Sequence, residues 1–272
     1  MNTESSPRRL HIRGRSLWAF IVPGSLLVCL LAVPLGALLW RALSEDFTAH
    51  ILAPSAFSAL RISLITSTLA TFLTIVAGTP LAYALARWPF RGRTIVELII
   101  DLPIVLPPAV AGLALLIAFG RQGVFGPLLG ALGISLPFTT AAVVIAQMFV
   151  AAPLYVRSAR IGFAGVDVQL EESAYAEGAN QWQMFRHIML PLTTRALLSG
   201  AILCWTRALG EFGATILFAG NLEGRTQTMP LAIYLGFERN IGVALALSAL
   251  LVGVSVSLLA LLRWLERSNT GE

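Results

Sequence analysis

The sequence predicts an all-α, polytopic membrane protein with six transmembrane helices and both termini in the cytoplasm. Three observations carry that expectation. The 272 residues are 57% hydrophobic and only 12% charged, and the mean hydropathy of +0.79 lies outside the range of soluble domains. Apolar stretches long enough to span, at about 20 residues each, recur six times. The basic residues are spread unevenly between the segments that join them.

The first stretch, 17–40, follows Arg8, Arg9, Arg13 and Arg15. That start is like a signal peptide's, yet the long apolar run without a small-residue cleavage site favours a retained helix. The second, third and fourth stretches are 60–85, 95–119 and 138–157, and the fifth and sixth are 196–220 and 241–263. No internal repeat, low-complexity tract or long linker divides them. The expected organisation is therefore a tail at 1–16, one membrane domain at 17–265 that includes a polar loop at 158–195, and a tail at 266–272.

All 19 basic residues are arginine, which excludes a Walker A loop and lysine Schiff-base chemistry. The termini and the loops at 86–94 and 158–195, together with Arg157 and Arg263 at the adjoining span ends, hold thirteen of them, the opposite side holds Arg41, Arg61, Arg121, Arg225 and Arg239, and Arg207 lies inside a span. The positive-inside rule then puts the thirteen in the cytoplasm. Scattered between apolar segments, these charges set topology and do not form a nucleic-acid surface. Cys29 and Cys204 sit in separate apolar stretches and read as small buried hydrophobes, not a disulfide. His11, His50 and His187 have no metal-ligand or triad spacing, so neither a catalytic residue, a metal nor a cofactor is expected.

The polar stretch EESAYAEGANQWQMFRHIMLPL at 171–192 reads as two short helices joined at an elbow. Asp167 is positioned to cap the first, with Glu171 and Glu172 at the positive end of its dipole. Gly178 supplies the left-handed residue that closes it, and Asn180 with Gln183 has the form of a capping box. Trp182, Phe185 and Ile188 or Met189 form an apolar stripe that Pro191 is expected to stop. For Trp182 and Met189, packing on the chain's own spans and contact with a partner both remain open.

Here the chain resembles the inner-membrane permease subunits of ABC importers. Their signature is Glu-Ala-Ala, three residues, Gly, nine residues, then Ile, one residue and Leu-Pro. It stands in this sequence as Glu172, Ser173 and Ala174, then Gly178, then Ile188, Leu190 and Pro191, with Ser173 a small-for-small departure. The resemblance implies a type I importer permease fold over a core at 55–265, with a cytoplasmic coupling helix that docks on a separate ATPase subunit, present in two copies. A second stretch, RALGEFGATILFAGNLEGRTQTMPLAIY at 207–234, and LPIVLPPAVAGLAL at 102–115 are similar to permeases for tetrahedral oxyanions. Molybdate or tungstate permeases are the nearest match, and sulfate/thiosulfate permeases are the alternative. The molybdate resemblance implies a homodimer of permeases and an external oxyanion-binding protein that docks around 41–57, 120–137 and 221–240.

Chemistry inside the spans is sparse. Glu211 is an intramembrane carboxylate, costly enough to be a functional hypothesis, with Arg207 one turn earlier as its partner. A pair that merely neutralises itself and a pair on the translocation path are both open. Pro103, Pro107 and Pro108 are expected to break the third span, where freed carbonyls must face protein or water. Spans three and five are the expected path, with hydroxyls from Thr215 and Thr226 to Thr228 along it. Glu97 and Asp101 are expected to pair with arginines or complement a helix dipole. An ion-coupled secondary transporter is the rival from another class; it calls for intramembrane relays and repeated halves, and only Glu211 and Arg207 lie deep.

Overall fold

The structure, a computed structural model, describes residues 14–44 and 46–267; most of both expected tails, with Arg8, Arg9, Arg13 and His11, falls outside them. The described residues form helices and connecting turns without a strand. By length and composition, five helices are long and apolar enough to cross a membrane, and a bent pair makes a sixth if its two halves count as one span.

Helix α1 (Gly14–Ser44) is followed by a short α2 (Phe47–Ile51) and then α3 (Pro54–Arg87). The bent pair is α4 (Arg93–Val105) and α5 (Pro108–Phe119), which meet at 120°. Sequence dictates this bend. Leu106 and Pro107 each precede a proline, which disfavours the helical region, and both adopt extended ψ angles of 136° and 133°. Pro103, expected to share in the break, lies buried inside α4. The expected single span at 95–119 is therefore two helices that turn on 106–107.

After α6 (Gly126–Ala131), helix α7 (Thr140–Ala164) runs the length of the bundle, with the Thr139 hydroxyl accepting the Ala142 N–H at 3.2 Å as its N-cap. The polar loop carries α8 (Val168–Ala176) and α9 (Gln181–Met184). A π-helical turn, Phe185–Met189, then joins α9 to α10 (Leu190–Leu209). Pro191 does not stop the helix: it follows directly on the π turn, so its missing N–H falls where the pairing passes from π-helical to α-helical. The π turn takes up the mismatch, with Leu190 N–H donating to Phe185 O, five residues back.

The fifth span also breaks. Helix α10 ends at Leu209, and α11 (Gly213–Phe218) is a separate short helix, so 196–220 is not continuous. The segment 221–240, expected as an external loop, holds α12 (Met229–Arg239) before α13 (Ile241–Arg267).

The centre of the bundle is α3, α7 and α10, packed through small residues. A Cβ on Gly162 would lie 2.5 Å from the Ala196 Cβ, and one on Gly200 would lie 2.8 Å from the Ser158 Cβ. Thr79 and Tyr155 share a hydroxyl hydrogen bond of 2.6 Å between α3 and α7. Around this centre, α5 and α11 build a second core with α7, and α12 and α13 a third with α3. Helix α1 packs on α13 and α2 and leaves its apolar surface exposed, including Cys29, whereas Cys204 is buried as expected.

Candidate functional site

The polar loop is built by local rules. Asp167 accepts the Gln169 N–H at 2.9 Å and opens α8. Gly178 has φ +90°; its N–H reaches Tyr175 O, and Ala179 N–H reaches Ala174 O, both at 3.0 Å, the bond pair of a Schellman cap. The capping box is complete: Gln183 N–H donates to Asn180 Oδ1 at 2.9 Å and Asn180 N–H to Gln183 Oε1 at 2.8 Å.

The elbow is held to the bundle mainly by aromatic rings. Tyr83 meets Phe163, Phe185 and Trp88 edge to face, with centroids 5.4, 5.2 and 6.0 Å apart. Met184 and Met189 are fully buried in the same cluster, and Ala174 and Ile188 pack on it. Trp182 is 64% exposed and stacks on Phe185. The apolar stripe expected on a 3.6-residue period is therefore corrected: the buried pair is five residues apart, the spacing of the π turn.

Of the signature residues, Glu172, Ser173, Gly178 and Pro191 are exposed, and Leu190 is half-buried. The Ser173 hydroxyl donates to Gln169 O at 2.8 Å, so the departure from alanine is absorbed within α8. A groove of about 590 Å³, lined by Pro80, Tyr83, Trp88, Asn180, Trp182 and Phe185, runs beside the elbow.

Charge also ties this face together. Arg87, the last residue of α3, lies 2.7 Å from Glu171 and donates to Val166 O at 2.7 Å. Glu97 receives Arg93 at 3.0 Å and Arg160 at 2.6 Å, and Asp101 receives Arg157 at 2.6 Å. Glu97 and Asp101 are thus paired with arginines, as expected, and the pairs fasten α4 to α7. Arg87 and Tyr83 were not legible as anchors, because nothing in sequence spacing says that the end of α3 meets α8 and α9.

The two breaks meet. A Cβ on Gly213, where α11 starts, would lie 2.7 Å from the Pro108 Cβ, and one on Gly112 would lie 2.7 Å from Ala214 O. Only glycine permits α5 and α11 this approach. Glu211 stands in the break at 1% exposure. Its Oε1 accepts the Ala214 N–H at 2.8 Å, and its Oε2 lies 2.6 Å from Arg207 Nη1. The expected pair is present, with the carboxylate also capping α11. Pro108 sits at the break and Pro107 is exposed before it.

Thr215, Thr226 and Thr228 are fully buried, and Thr226 Oγ1 accepts the Leu222 N–H at 2.9 Å. Among the described residues, the hydroxyls of Thr215 and Thr228 have no hydrogen-bond partner. Sealed between helices, they do not line an open passage in this conformation. His50 and His187 lie on different elements, each with Nδ1 against a backbone carbonyl, Asp46 O and Gln183 O.

A bundle with two broken spans meeting inside it and a capped elbow at one end has the fold of a type I ABC importer permease. A bacterial ABC transporter involved in the import of the acidic polysaccharide alginate superposes with a TM-score of 0.69 at 17% identity, over 93% of this chain and 94% of that one. Residues 75–270 match the family described as binding-protein-dependent transport system inner membrane component, and the chain belongs to it. It is a multi-pass inner-membrane protein. Among its relatives are a probable transport system permease protein, NifC, of Clostridium pasteurianum, 43% identical over 74% of this chain and 71% of that protein. The molybdenum transport system permease protein ModB of Mycobacterium tuberculosis is 42% identical over 88% of this chain and 90% of its own length. A probable sulfate transport system permease protein of Nephroselmis olivacea is 31% identical over 93% and 90%.

Proposed function

We propose that this permease carries molybdate or tungstate inward across the cytoplasmic membrane, driven by ATP hydrolysis on a separate subunit present in two copies. What supports the cargo is similarity: the molybdenum permease relative stands at 42% identity and the sulfate relative at 31%. In this reading the permease pairs with a second copy of itself, and an external oxyanion-binding protein delivers cargo to the face that holds α2, α6 and α12. Competition uptake tests the cargo. Tungstate is expected to suppress labelled molybdate uptake, and suppression by equimolar sulfate with tungstate inert overturns the assignment.

The elbow is the proposed docking element for the ATPase. The supporting observation is that α8 and α9 are rigidly capped at Gly178 and clamped to α3 and α7, while Glu172, Ser173 and Trp182 stay exposed. An element built this way transmits force to the spans instead of deforming. Gly178→Val tests it, since a Cβ there meets nothing within 4 Å and the cost comes from the positive φ alone, about 1–2 kcal/mol or more for a β-branched residue. The variant is expected to insert normally and lose ATPase co-purification. Full co-purification with wild-type uptake removes the elbow from the coupling path.

The proposed translocation path runs by the meeting point of the two breaks, where Pro107, Pro108, Arg207, Glu211 and Thr215 gather on α5, α10 and α11. Backbone outside helical pairing is tolerated at membrane depth only against protein or water.

A further inference from the structure

The residues at the break do not share one role. Both oxygens of Glu211 are committed, one to the Ala214 N–H and one to Arg207, and the carboxylate is 1% exposed. Arg207 is different: its side chain is 34% exposed, and its ion pair with Glu211 runs through Nη1. The sequence adds that α5, α11 and the part of α10 beyond Arg195 contain no other cation. Helical rise puts Arg207 about 18 Å from Arg195 along α10, well inside a hydrocarbon layer of about 30 Å.

We propose that Arg207 is the contact for a tetrahedral oxyanion at the meeting point of the two broken spans, and that Glu211 is its positioning residue and takes no part in binding. The inference rests on the oxyanion-import reading and divides the labour within it. A dianion entering this region loses hydration and needs charged donors. A guanidinium offers a planar fork matched to two oxygens of such an anion. Glu211 holds that fork in place while cancelling its net charge, so the anion is met weakly and released, as conduction requires. The cap explains why the counter-ion is Glu211 and not a mobile carboxylate: the same side chain that orients Arg207 fixes the start of α11.

The test uses the complete complex of permease, ATPase and binding protein in proteoliposomes, with molybdate and tungstate uptake read by elemental analysis and assembly by co-purification. The double variant Arg207→Gln/Glu211→Gln removes both charges but leaves an amide oxygen for the Ala214 N–H. Its uptake is expected to fall about tenfold or more, the scale of a lost charge-assisted hydrogen bond. A pair that only neutralises itself predicts wild-type uptake, and that result overturns the proposal. Glu211→Gln alone keeps the cap and leaves Arg207 uncompensated; KM and maximal rate are both expected to fall, because the anion is held longer. Unchanged kinetics in that variant overturn the proposal even if the double variant fails to assemble. If the wild-type complex imports neither oxyanion, the cargo reading falls instead; if it imports them and the variants match it, only this inference falls.

Discussion

Met189 and Trp182 show how much a single residue's fate depends on one extra residue in a helical turn. On an ordinary period both belong to the stripe with Phe185, yet Met189 is fully buried and Trp182 is 64% exposed. The reason lies at Pro191, which carries no N–H and follows the π turn that rephases the helix. The polar side chains were easier to read: Asp167, Gly178, Asn180 and Gln183 act through bonds no more than five residues long, and each stands where its sequence signal put it. The hydroxyls of Thr215 and Thr228 were not, because their surroundings come from helices distant in sequence. Met189→Ala is expected to cost about 2–5 kcal/mol, read as a lower melting temperature of the purified protein. Trp182→Ala is expected to leave melting unchanged and weaken ATPase co-purification. A reversed pattern would place Trp182 in the core and Met189 at the docking surface.

At the scale of elements, proline was the legible breaker and the Gly-Glu-Phe-Gly run was not. The pair Pro107–Pro108 fixes a bend through local sterics, whereas the break at 210–212 depends on Gly213 fitting against Pro108 of another helix. Close helix approach has the same non-local character. Gly200 lies against Ser158 and Gly162 against Ala196, so a larger side chain at either position must part α7 from α10. Gly200→Leu is expected to destabilise the bundle by about 1–3 kcal/mol or more, and unfolding in detergent followed by circular dichroism checks it. An unchanged transition would mean that the helices yield there without cost. Arg87→Ala is expected to speed amide exchange in α8, since it removes the tie from α3 to both Glu171 and Val166 O. Protection unchanged from wild type would show that the aromatic cluster alone holds the loop.

For the whole molecule, composition and the spacing of apolar runs anticipated an all-helical membrane bundle, in which five helices are long enough to cross and the bent pair makes a sixth if it is one span. Helix α1 is peripheral and packs mainly on α13 and α2. Which helices share a core was not legible, because parallel packing of α3 on α7 leaves no trace in either sequence alone. The orientation expected from arginine counts is open to a direct measurement. With Cys29 and Cys204 replaced by serine, Glu177→Cys and Glu223→Cys, both at exposed positions, are to be labelled in intact cells with a membrane-impermeant thiol reagent. Glu223→Cys is expected to react and Glu177→Cys to be protected. The opposite result would invert the protein in the membrane.

Because the π turn carries the chain past Pro191 without a stop, residues Gln181–Leu209 form one rod of 29 residues. The elbow is at one end and the Arg207–Glu211 junction at the other. At 1.5 Å per residue that rod is about 43 Å long, and a tilt of about 10° about its elbow end would carry the far end roughly 7 Å. Seen as a lever, the helix needs no relay of contacts to connect the elbow with the junction: its own stiffness turns a small swing at one end into a displacement of several ångströms at the other.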